Sequence, residues 1–133
     1  MLFWLPGTRR RLLSDPKLLG RWGEKRCEHF LNRKGLKTVA RNYSCKTGEI
    51  DLIMASEEGV IVFVEVKTRR DEGFAQAQDA VNHAKREKLD RTAKIFLKKF
   101  KVKDKPVRFD VVAVVLPEKG SEQIRYYENA FVP

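Results

Sequence analysis

The stretch GEIDLIMASEEGVIVFVEVKT, residues Gly48 to Thr68, decides the fold. Its second half is a dense run of β-branched and aromatic residues, which is typical of a strand buried on both faces. Three ionisable residues interrupt the apolar runs of this stretch: Asp51, Glu65 and Lys67. Because a buried charge is costly unless it is paired or bound to a metal, these residues indicate a functional cluster within the core.

The Ser-Glu-Glu-Gly segment between the two runs predicts a β-hairpin. A three-residue loop from Glu57 to Gly59, with glycine in the left-handed position, is a common connection between antiparallel strands. This loop sets apolar residues opposite apolar ones and Asp51 opposite Glu65, so the register is self-consistent. We expect the β-carbons of these two acids to lie roughly 5 Å apart on one face of the sheet. The apolar pairs that this register predicts are Ile50 with Val66, Leu52 with Val64, and Ile53 with Phe63.

The acids of the hairpin have an ammonium group beside them. Lys67 follows Glu65 by two residues and projects from the same face of the strand, where Glu49 lies opposite it. Carboxylates grouped in this way suit a hard divalent cation, which takes oxygen ligands. The alternative is a plain ion pair between Glu65 and Lys67 on an edge strand, with Asp51 as an ordinary acid near a turn.

Each of the two long helices supplies a further residue to this region. Glu24 lies on the rim of the apolar stripe of the first helix, and Gly20 and Gly23 are expected to let that helix approach the sheet. Lys85 lies one turn before Leu89 in the second helix, also toward the core. Long side chains at the edge of a stripe often extend to water, so a surface position is the alternative for Glu24 and Lys85.

The remaining pattern predicts an α/β fold. Asp15 and Pro16 begin a helix that continues to about residue 34, since Asp is a good cap and Pro fits the first helical position. Apolar residues at helical spacing predict a second helix from residue 79 to about 101. Strands are predicted at 36–42, in the two runs of the hairpin, at 107–116 and at 123–127. The order α-β-β-β-α-β-β indicates a mixed central sheet of about five strands flanked by helices.

The composition favours one domain with a nucleic-acid partner. A chain of 133 residues can bury a core. We expect residues 16–133 to form that domain and residues 1–15 to form a mobile basic tail. Lys and Arg number 28 against 18 Asp and Glu, which gives a formal net charge of +10. Such a surplus favours a polyanion such as nucleic acid, and a solvated basic surface without a partner is the alternative.

The two cysteines and the apolar first residues bear on where the protein works. Cys27 and Cys45 lack metal-ligand spacing and fit free thiols in a reducing compartment. The opening MLFWLP is too short to span a membrane. We therefore expect a cytoplasmic protein with no membrane partner.

The hairpin residues resemble the motif of PD-(D/E)XK nucleases. In that motif an aspartate is followed, a hairpin's length later, by an acid-x-Lys triplet on a buried strand. Here the residues are Asp51 and Glu65-Val66-Lys67, with Ile50 where the motif has proline. From about residue 17 to 133 the chain resembles the YraN family, small bacterial proteins with a nuclease-like fold related to archaeal Holliday-junction resolvases. The matching segments are Gly20-x-x-Gly23-Glu24, Arg41-Asn42, GEIDLI (48–53), VFVEVKTR (62–69), RFDVV (108–112) and NAF (129–131).

The resemblance implies a restriction-endonuclease-like fold and a metal-dependent endonuclease that hydrolyses phosphodiester bonds in branched or structured DNA. Asp51 and Glu65 would be catalytic metal ligands, joined by the Val66 carbonyl oxygen and by Glu24, with Mg²⁺ or Mn²⁺ as the cofactor. Lys67 would orient or deprotonate the attacking water and stabilise charge on the phosphate. A homodimer is possible by analogy with resolvases.

Basic residues outside the cluster are predicted to contact nucleic acid. The second helix carries a cationic row beside its apolar stripe, and such a row follows phosphates without reading sequence. By resemblance, Lys85 would lie near the phosphate, whereas a solvated row is the alternative for the rest of the helix. The predicted nucleic-acid-binding residues are Arg69, Arg70, Lys85, Lys88, Arg91, Lys94 and Lys98.

Two other functions stay open at this stage. The first is a nucleic-acid-binding module that keeps the fold but is catalytically weak or inactive, and that assists repair or recombination. The complete set of Asp51, Glu65 and Lys67 argues against it. The second is a module for proteins or anionic membranes, for which the chain lacks a basic amphipathic helix with bulky apolar anchors. Asp110, in RFDVV, has no assigned role beyond support of Arg108 or of the sheet end.

Overall fold

The computed structural model describes residues 7–71 and 82–132, and these ranges contain three helices and five strands. The elements in chain order are α1 (Thr8–Ser14), α2 (Pro16–Arg33), β1 (Lys37–Cys45), β2 (Gly48–Ala55), β3 (Ile61–Arg69), α3 (His83–Lys99), β4 (Val107–Val115) and β5 (Gln123–Phe131). Apart from the short α1, this is the predicted order.

The five strands form one mixed sheet in the order β1-β2-β3-β4-β5. All neighbouring pairs are antiparallel except β3 and β4, which are parallel and are joined across one face of the sheet by α3. A parallel pair needs such a crossover connection, and a helix usually supplies it. The predicted α/β class, with a five-stranded mixed sheet flanked by helices, is confirmed.

The hairpin of β2 and β3 has the predicted register where the strands pair. Leu52 faces Val64 and Ile53 faces Phe63, and the pairing continues to Ala55 with Ile61. The turn closes with a hydrogen bond from the Gly59 amide to Ser56 at 3.0 Å, and Gly59 has a left-handed φ of 87°. The paired ladder ends at Leu52 and Val64, so the predicted facing pairs of residues 50 and 51 lie beyond it.

The two faces of the sheet are covered by different helices. On one face, α3 contributes Leu89, Ala93 and Phe96 to a core cluster that includes Ile53 and Phe63. On the other face, Cys27 and Leu31 of α2 pack with residues such as Leu52 and Val64. Alternation along the strands sends successive side chains to these two layers, which is why β3 is buried on both sides.

Helix α2 begins at its predicted cap and comes very close to the sheet. The Asp15 side chain accepts hydrogen bonds from the amides of Lys17 and Leu18, and Pro16 takes the first turn. A β-carbon added at Gly23 would lie 1.9 Å from the hydroxyl oxygen of Thr68, so only glycine fits there. The same expectation for Gly20 is wrong, because a β-carbon there would meet no atom within 4 Å.

Several boundaries differ from the prediction. Strands β1 and β5 are longer than the predicted 36–42 and 123–127, and the helix predicted from residue 79 begins at His83, with 79–81 outside the described residues. Helix α1 was not predicted. Its Arg9 donates hydrogen bonds to main-chain oxygens of the β4–β5 connection, including Gly120 at 2.9 Å. In the described part of the chain no helix is long and apolar enough to cross a membrane.

Candidate active site

The main-chain pairing of β2 and β3 ends at Leu52 and Val64. Just beyond this point, the side chain of Asp51 accepts a hydrogen bond from β3 in place of a main-chain oxygen. Its Oδ2 accepts a hydrogen bond of 2.8 Å from the main-chain amide of Val66. That amide belongs to the strand that carries Glu65 and Lys67, so the bond fixes the carboxylate beside both side chains. The predicted proximity of Asp51 to the acid-x-Lys triplet is therefore observed, although it is made by a side chain–main chain bond.

Glu65 is held between two ammonium groups. Its Oε1 lies 3.2 Å from Nζ of Lys67 and 2.8 Å from Nζ of Lys85. Glu65 is 9% exposed and Lys67 is 8% exposed, so this is a buried cluster and not a surface ion pair. Lys85 reaches Glu65 from the first turns of α3, as its position on the core side of the helix predicted, and keeps more of its side chain in solvent.

A second pair of acids lies beside the first, joined by an amide that the sequence interpretation did not include. The Asn42 side chain lies between Glu24 and Glu49, and its nitrogen, in the orientation that satisfies both acids, donates to Glu24 at 3.0 Å and to Glu49 at 3.3 Å. Asn42 has a left-handed φ of 48°, which asparagine tolerates better than most residues. The quoted Arg41-Asn42 pair was the available signal for this residue.

Burial has the largest effect on the acids of the cluster, and repulsion among them adds to it. Burial, and then the charges of Glu65, Glu24 and Glu49, raise the pKa of Asp51 to about 7, and the bond from Val66 only partly opposes them. Burial, followed by repulsion from Glu49 and Glu65, also raises the pKa of Glu24, against the hydrogen bond from Asn42. A carboxylate in such surroundings is stabilised by a proton or by a cation.

The pKa values of the two lysines in the cluster are shifted in opposite directions. Burial, and then the neighbouring Lys85, lower the pKa of Lys67, although Glu65 opposes this. Burial would lower the pKa of Lys85 too, but its contacts with Glu65 and Lys67 outweigh burial and raise it. The more buried Lys67 is therefore the amine that loses its proton more readily.

The donor chemistry of this cluster fits a hard divalent metal ion. Asp51, Glu65 and Glu24 offer carboxylate oxygens, and the charge of Asp51, which burial and then the neighbouring acids disfavour, is one that a cation would stabilise. Within residues 7–71 and 82–132, no three Asp, Glu, His or Cys side chains are already grouped closely enough to hold a metal ion. Coordination would therefore require these carboxylates to move closer together.

The other predicted nucleic-acid-binding residues lie on exposed surfaces. Along α3 the cationic row is solvent-facing, and two of its members pair within the helix, Lys94 with Asp90 at 2.9 Å and Arg91 with Glu87 at 3.9 Å. Arg69 and Arg70 are exposed at the end of β3, where Arg70 lies 3.4 Å from Glu118. The exposed members of the row are Lys88, Arg91, Lys94 and Lys98.

A second buried acid, Asp110 on β4, is separate from this cluster and has a full set of donors. It is completely buried and accepts hydrogen bonds from Nε of Arg108 at 3.1 Å, from the Tyr126 hydroxyl, and from the Asn129 amide at 2.9 Å. Arg108 also contacts Glu128 at 3.0 Å. Asp110 thus connects β4 to β5 beside an irregularity in their register. Of the two predicted roles, support of the sheet end is the one that fits these contacts.

Comparisons with known proteins identify relatives over most of the chain. The model of uncharacterised protein family UPF0102 matches residues 23–114. A UPF0102 protein of Pelotomaculum thermopropionicum is 38% identical over 116 residues, which are 86% of this chain and 96% of that protein. A UPF0102 protein of Photobacterium profundum is 43% identical over 111 residues, which are 82% of this chain and 86% of that protein.

Two solved structures are similar at a lower level. One is a complex of EndoMS with double-stranded DNA, with 24% identity and a TM-score of 0.33 over 65% of this chain and 30% of that one. The other is Pyrococcus furiosus SfsA in complex with Ca²⁺, with 15% identity and a TM-score of 0.36 over 86% of this chain and 64% of that one. TM-scores this low carry neither a fold assignment nor a functional one.

Proposed function

The chain belongs to protein family UPF0102, the YraN family that its sequence resembles, and from that premise we propose that it is a metal-dependent nucleic-acid phosphodiesterase. We take its substrate to be branched or structured DNA in the cytoplasm. One observation supports this proposal above the others. Glu65 and Lys67 are less than a tenth exposed, and Asp51 is hydrogen-bonded to the residue between them. Charged groups this buried are rare, and they concentrate at functional sites.

In this proposal Asp51, Glu65, Glu24 and the Val66 carbonyl oxygen hold Mg²⁺ or Mn²⁺. The metal, when bound, supplies Lewis-acid stabilisation of the phosphate and lowers the pKa of its water. Asp51 would carry its charge more readily with a cation beside it, because burial, and then repulsion from neighbouring acids, raises its pKa.

The lysines then act on the water and the phosphate. Lys67, with its pKa lowered by burial and by Lys85, is suited to orient the attacking water and to accept its proton. Lys85 keeps its charge and offers a mobile ammonium group to a non-bridging phosphate oxygen. The exposed row on α3 supplies sequence-independent contacts with the backbone of the same substrate.

A cleavage assay with matched variants tests this function. Labelled flap and four-way-junction DNA is incubated with the metal-stripped protein, with and without added Mg²⁺ or Mn²⁺, and single-turnover rates are measured. We expect Lys67→Ala to lower the rate by roughly 10²–10⁴-fold, the usual contribution of a positioned acid–base group. Lys103→Ala, an exposed lysine distant in sequence from the cluster, is the control for lost charge. Full activity in both Lys67→Ala and Asp51→Asn contradicts the proposal.

Titration of Mn²⁺ by calorimetry separates binding from chemistry. The wild type should bind Mn²⁺ with a measurable heat that Asp51→Asn abolishes and Lys103→Ala preserves. Equal binding by the wild type and Asp51→Asn would mean that the ion is held elsewhere.

A second candidate function is a nucleic-acid-binding module that is weak in catalysis and assists repair or recombination. It is favoured by the neutralisation of Glu65, whose Oε1 is already contacted by both Lys67 and Lys85. This candidate predicts salt-dependent DNA binding that survives Asp51→Asn, together with no cleavage by the wild type at any divalent-ion concentration.

A further inference from the structure

The face of the sheet opposite α3 carries a cleft that is separate from the candidate active site. Helix α2 covers this face, and the cleft, of about 900 Å³, lies between the C-terminal half of α2, Arg9 of α1 and the start of β5. Four cationic side chains line it, those of Arg9, Arg26, Arg33 and Lys34, against the single carboxylate of Glu122. This balance favours an anionic occupant.

The walls of the cleft are fixed by two of these cations. Arg9 donates from one guanidinium nitrogen to the carbonyl oxygens of Pro117, Glu118 and Gly120, at 3.3, 3.4 and 2.9 Å, and so ties α1 to the β4–β5 connection. Arg26 is paired with Glu122, and among the described residues Arg26 Nε and Glu122 Oε2 are buried without a hydrogen-bond partner. Because both atoms are buried, the Arg26–Glu122 pair forms a fixed part of the wall and leaves Arg33 and Lys34 as its exposed cations.

The other cations are exposed beside an aromatic ring. Arg33 and Lys34 are exposed at the C-terminal end of α2, and Nζ of Lys34 lies 5.1 Å from the centre of the Phe30 ring. Tyr126 contacts Phe30 edge-on, with 6.0 Å between the ring centres, and so orients it. Phe30 and Ile124 give the cleft an apolar part between its charged walls.

We propose that this cleft binds an unpaired segment of nucleic acid, with a base against Phe30 and its phosphates beside Arg33 and Lys34. Aromatic rings next to cationic side chains in a groove are the features by which proteins hold single strands without reading their sequence. A regular duplex has its bases stacked and paired, so it can offer only its phosphates here. The concave shape and the Phe30 ring therefore favour an unpaired strand over a duplex.

This inference rests on the proposed function and extends it to the form of the substrate. The cationic row of α3 and the cleft beside α2 lie over opposite faces of one sheet. A straight duplex bound along α3 does not also reach the opposite face. A substrate with a duplex part and an unpaired branch can occupy both surfaces at once.

Binding assays without divalent ions test the cleft independently of cleavage. Fluorescence anisotropy in EDTA compares a labelled single strand of about a dozen nucleotides with a duplex of the same length. We expect Arg33→Glu combined with Lys34→Glu to weaken single-strand binding about tenfold or more and duplex binding by much less. Lys88→Glu combined with Lys98→Glu on α3 should weaken duplex binding more than single-strand binding. Phe30→Leu should weaken single-strand binding alone, since it leaves the charge unchanged.

The matched control is Lys103→Glu combined with Lys105→Glu, two exposed lysines outside the cleft with the same change in net charge. If this control weakens single-strand binding as much as the cleft variant does, the effect belongs to net charge and the inference is wrong. Circular dichroism and thermal unfolding establish that each variant is folded.

A cleft variant that keeps wild-type affinity for the single strand overturns the proposed binding at the cleft, even if the protein cleaves DNA. A protein that cleaves nothing, yet loses single-strand binding in the cleft variant, overturns the proposed function and supports the cleft.

Discussion

Asp110 and Asp51 are both aspartates within or beside the core of the same sheet, and their surroundings differ in kind. Asp110 accepts hydrogen bonds from three donor groups, and its charge is matched by Arg108. Asp51 accepts a main-chain hydrogen bond from Val66, and burial and three further acids disfavour its charge. The first site is complete without any ligand, and the second disfavours the charge of its own aspartate even with two lysines in the cluster.

The comparison shows that burial of a charge alone does not indicate function. A fully partnered carboxylate such as Asp110 strengthens the fold, because every donor around it is used. A carboxylate whose neighbours are mainly other carboxylates weakens the fold until a proton or a cation arrives. The direction in which each aspartate affects stability therefore distinguishes the two roles by experiment.

The largest effect is expected for Asp110→Asn. The substitution removes the charge that pairs with Arg108 and places an amide nitrogen among donors, so we expect a loss of roughly 3–5 kcal/mol in the free energy of unfolding. Urea unfolding at pH 8 in EDTA measures it. A loss below about 1 kcal/mol would mean that Glu128 alone compensates the charge of Arg108. The hydrogen bonds of Asp110 would then contribute little to stability.

Asp51→Asn is expected to have the opposite sign. The folded state holds the pKa of Asp51 at about 7, against an ordinary value of 3.8, so ionisation costs stability when the protein is folded. Removing that charge should raise the free energy of unfolding at pH 8 by roughly 2–4 kcal/mol in the absence of divalent ions. The same urea experiment measures it, and a destabilised Asp51→Asn would contradict this cost of ionisation.

The difference in unfolding free energy between Asp51→Asn and the wild type depends on pH, because folding changes the pKa of Asp51. Between about pH 4 and pH 7 the folded protein binds more protons at Asp51 than the unfolded chain does, so the contribution of Asp51 to stability falls as pH rises. We expect the gain of Asp51→Asn over the wild type to be near zero at pH 4 and to level off above pH 7. Asp110→Asn serves as the comparison, and a gain independent of pH would assign the effect to packing.

The smallest effects concern the helix that brings Glu24 to Asp51. Gly23→Ala would force a β-carbon against Thr68, and we expect a loss of roughly 1–3 kcal/mol from this overpacking. Gly20→Ala, three residues earlier and facing open space, should instead gain about 0.5–1 kcal/mol from its better helix propensity. Thermal unfolding measures both. If the two substitutions have equal effects, α2 does not depend on close contact at Gly23.

Much of the candidate site follows from local sequence patterns. The loop that ends at Gly59 determines the pairing of β2 with β3, and a strand alternates its faces, so Glu65 and Lys67 had to project together. The position of Lys85 followed from helical spacing in α3. These residues are close in sequence to the features that orient them, which is why the reasoning from sequence reached them.

Other features depend on contacts that local patterns do not encode. The donors to Asp110 come from Tyr126 and Asn129, 16 and 19 residues further along the chain, across an irregularity in the β4–β5 register. Asn42 bridges two acids from a left-handed backbone position within β1, which the sequence pattern of a strand does not predict. The docking of α1 depends on Arg9 and the carbonyl oxygen of Gly120, which are 111 residues apart.

Cys27 makes the attachment of α2 measurable without a mutation. Its side chain is fully enclosed between α2 and the sheet, and burial raises the pKa of its thiol, so an alkylating reagent cannot react with it while the helix is in place. Cys45 is partly accessible and reacts without such opening. The ratio of the two alkylation rates, followed by mass spectrometry, therefore reports how often the helix that carries Glu24 lifts from the sheet.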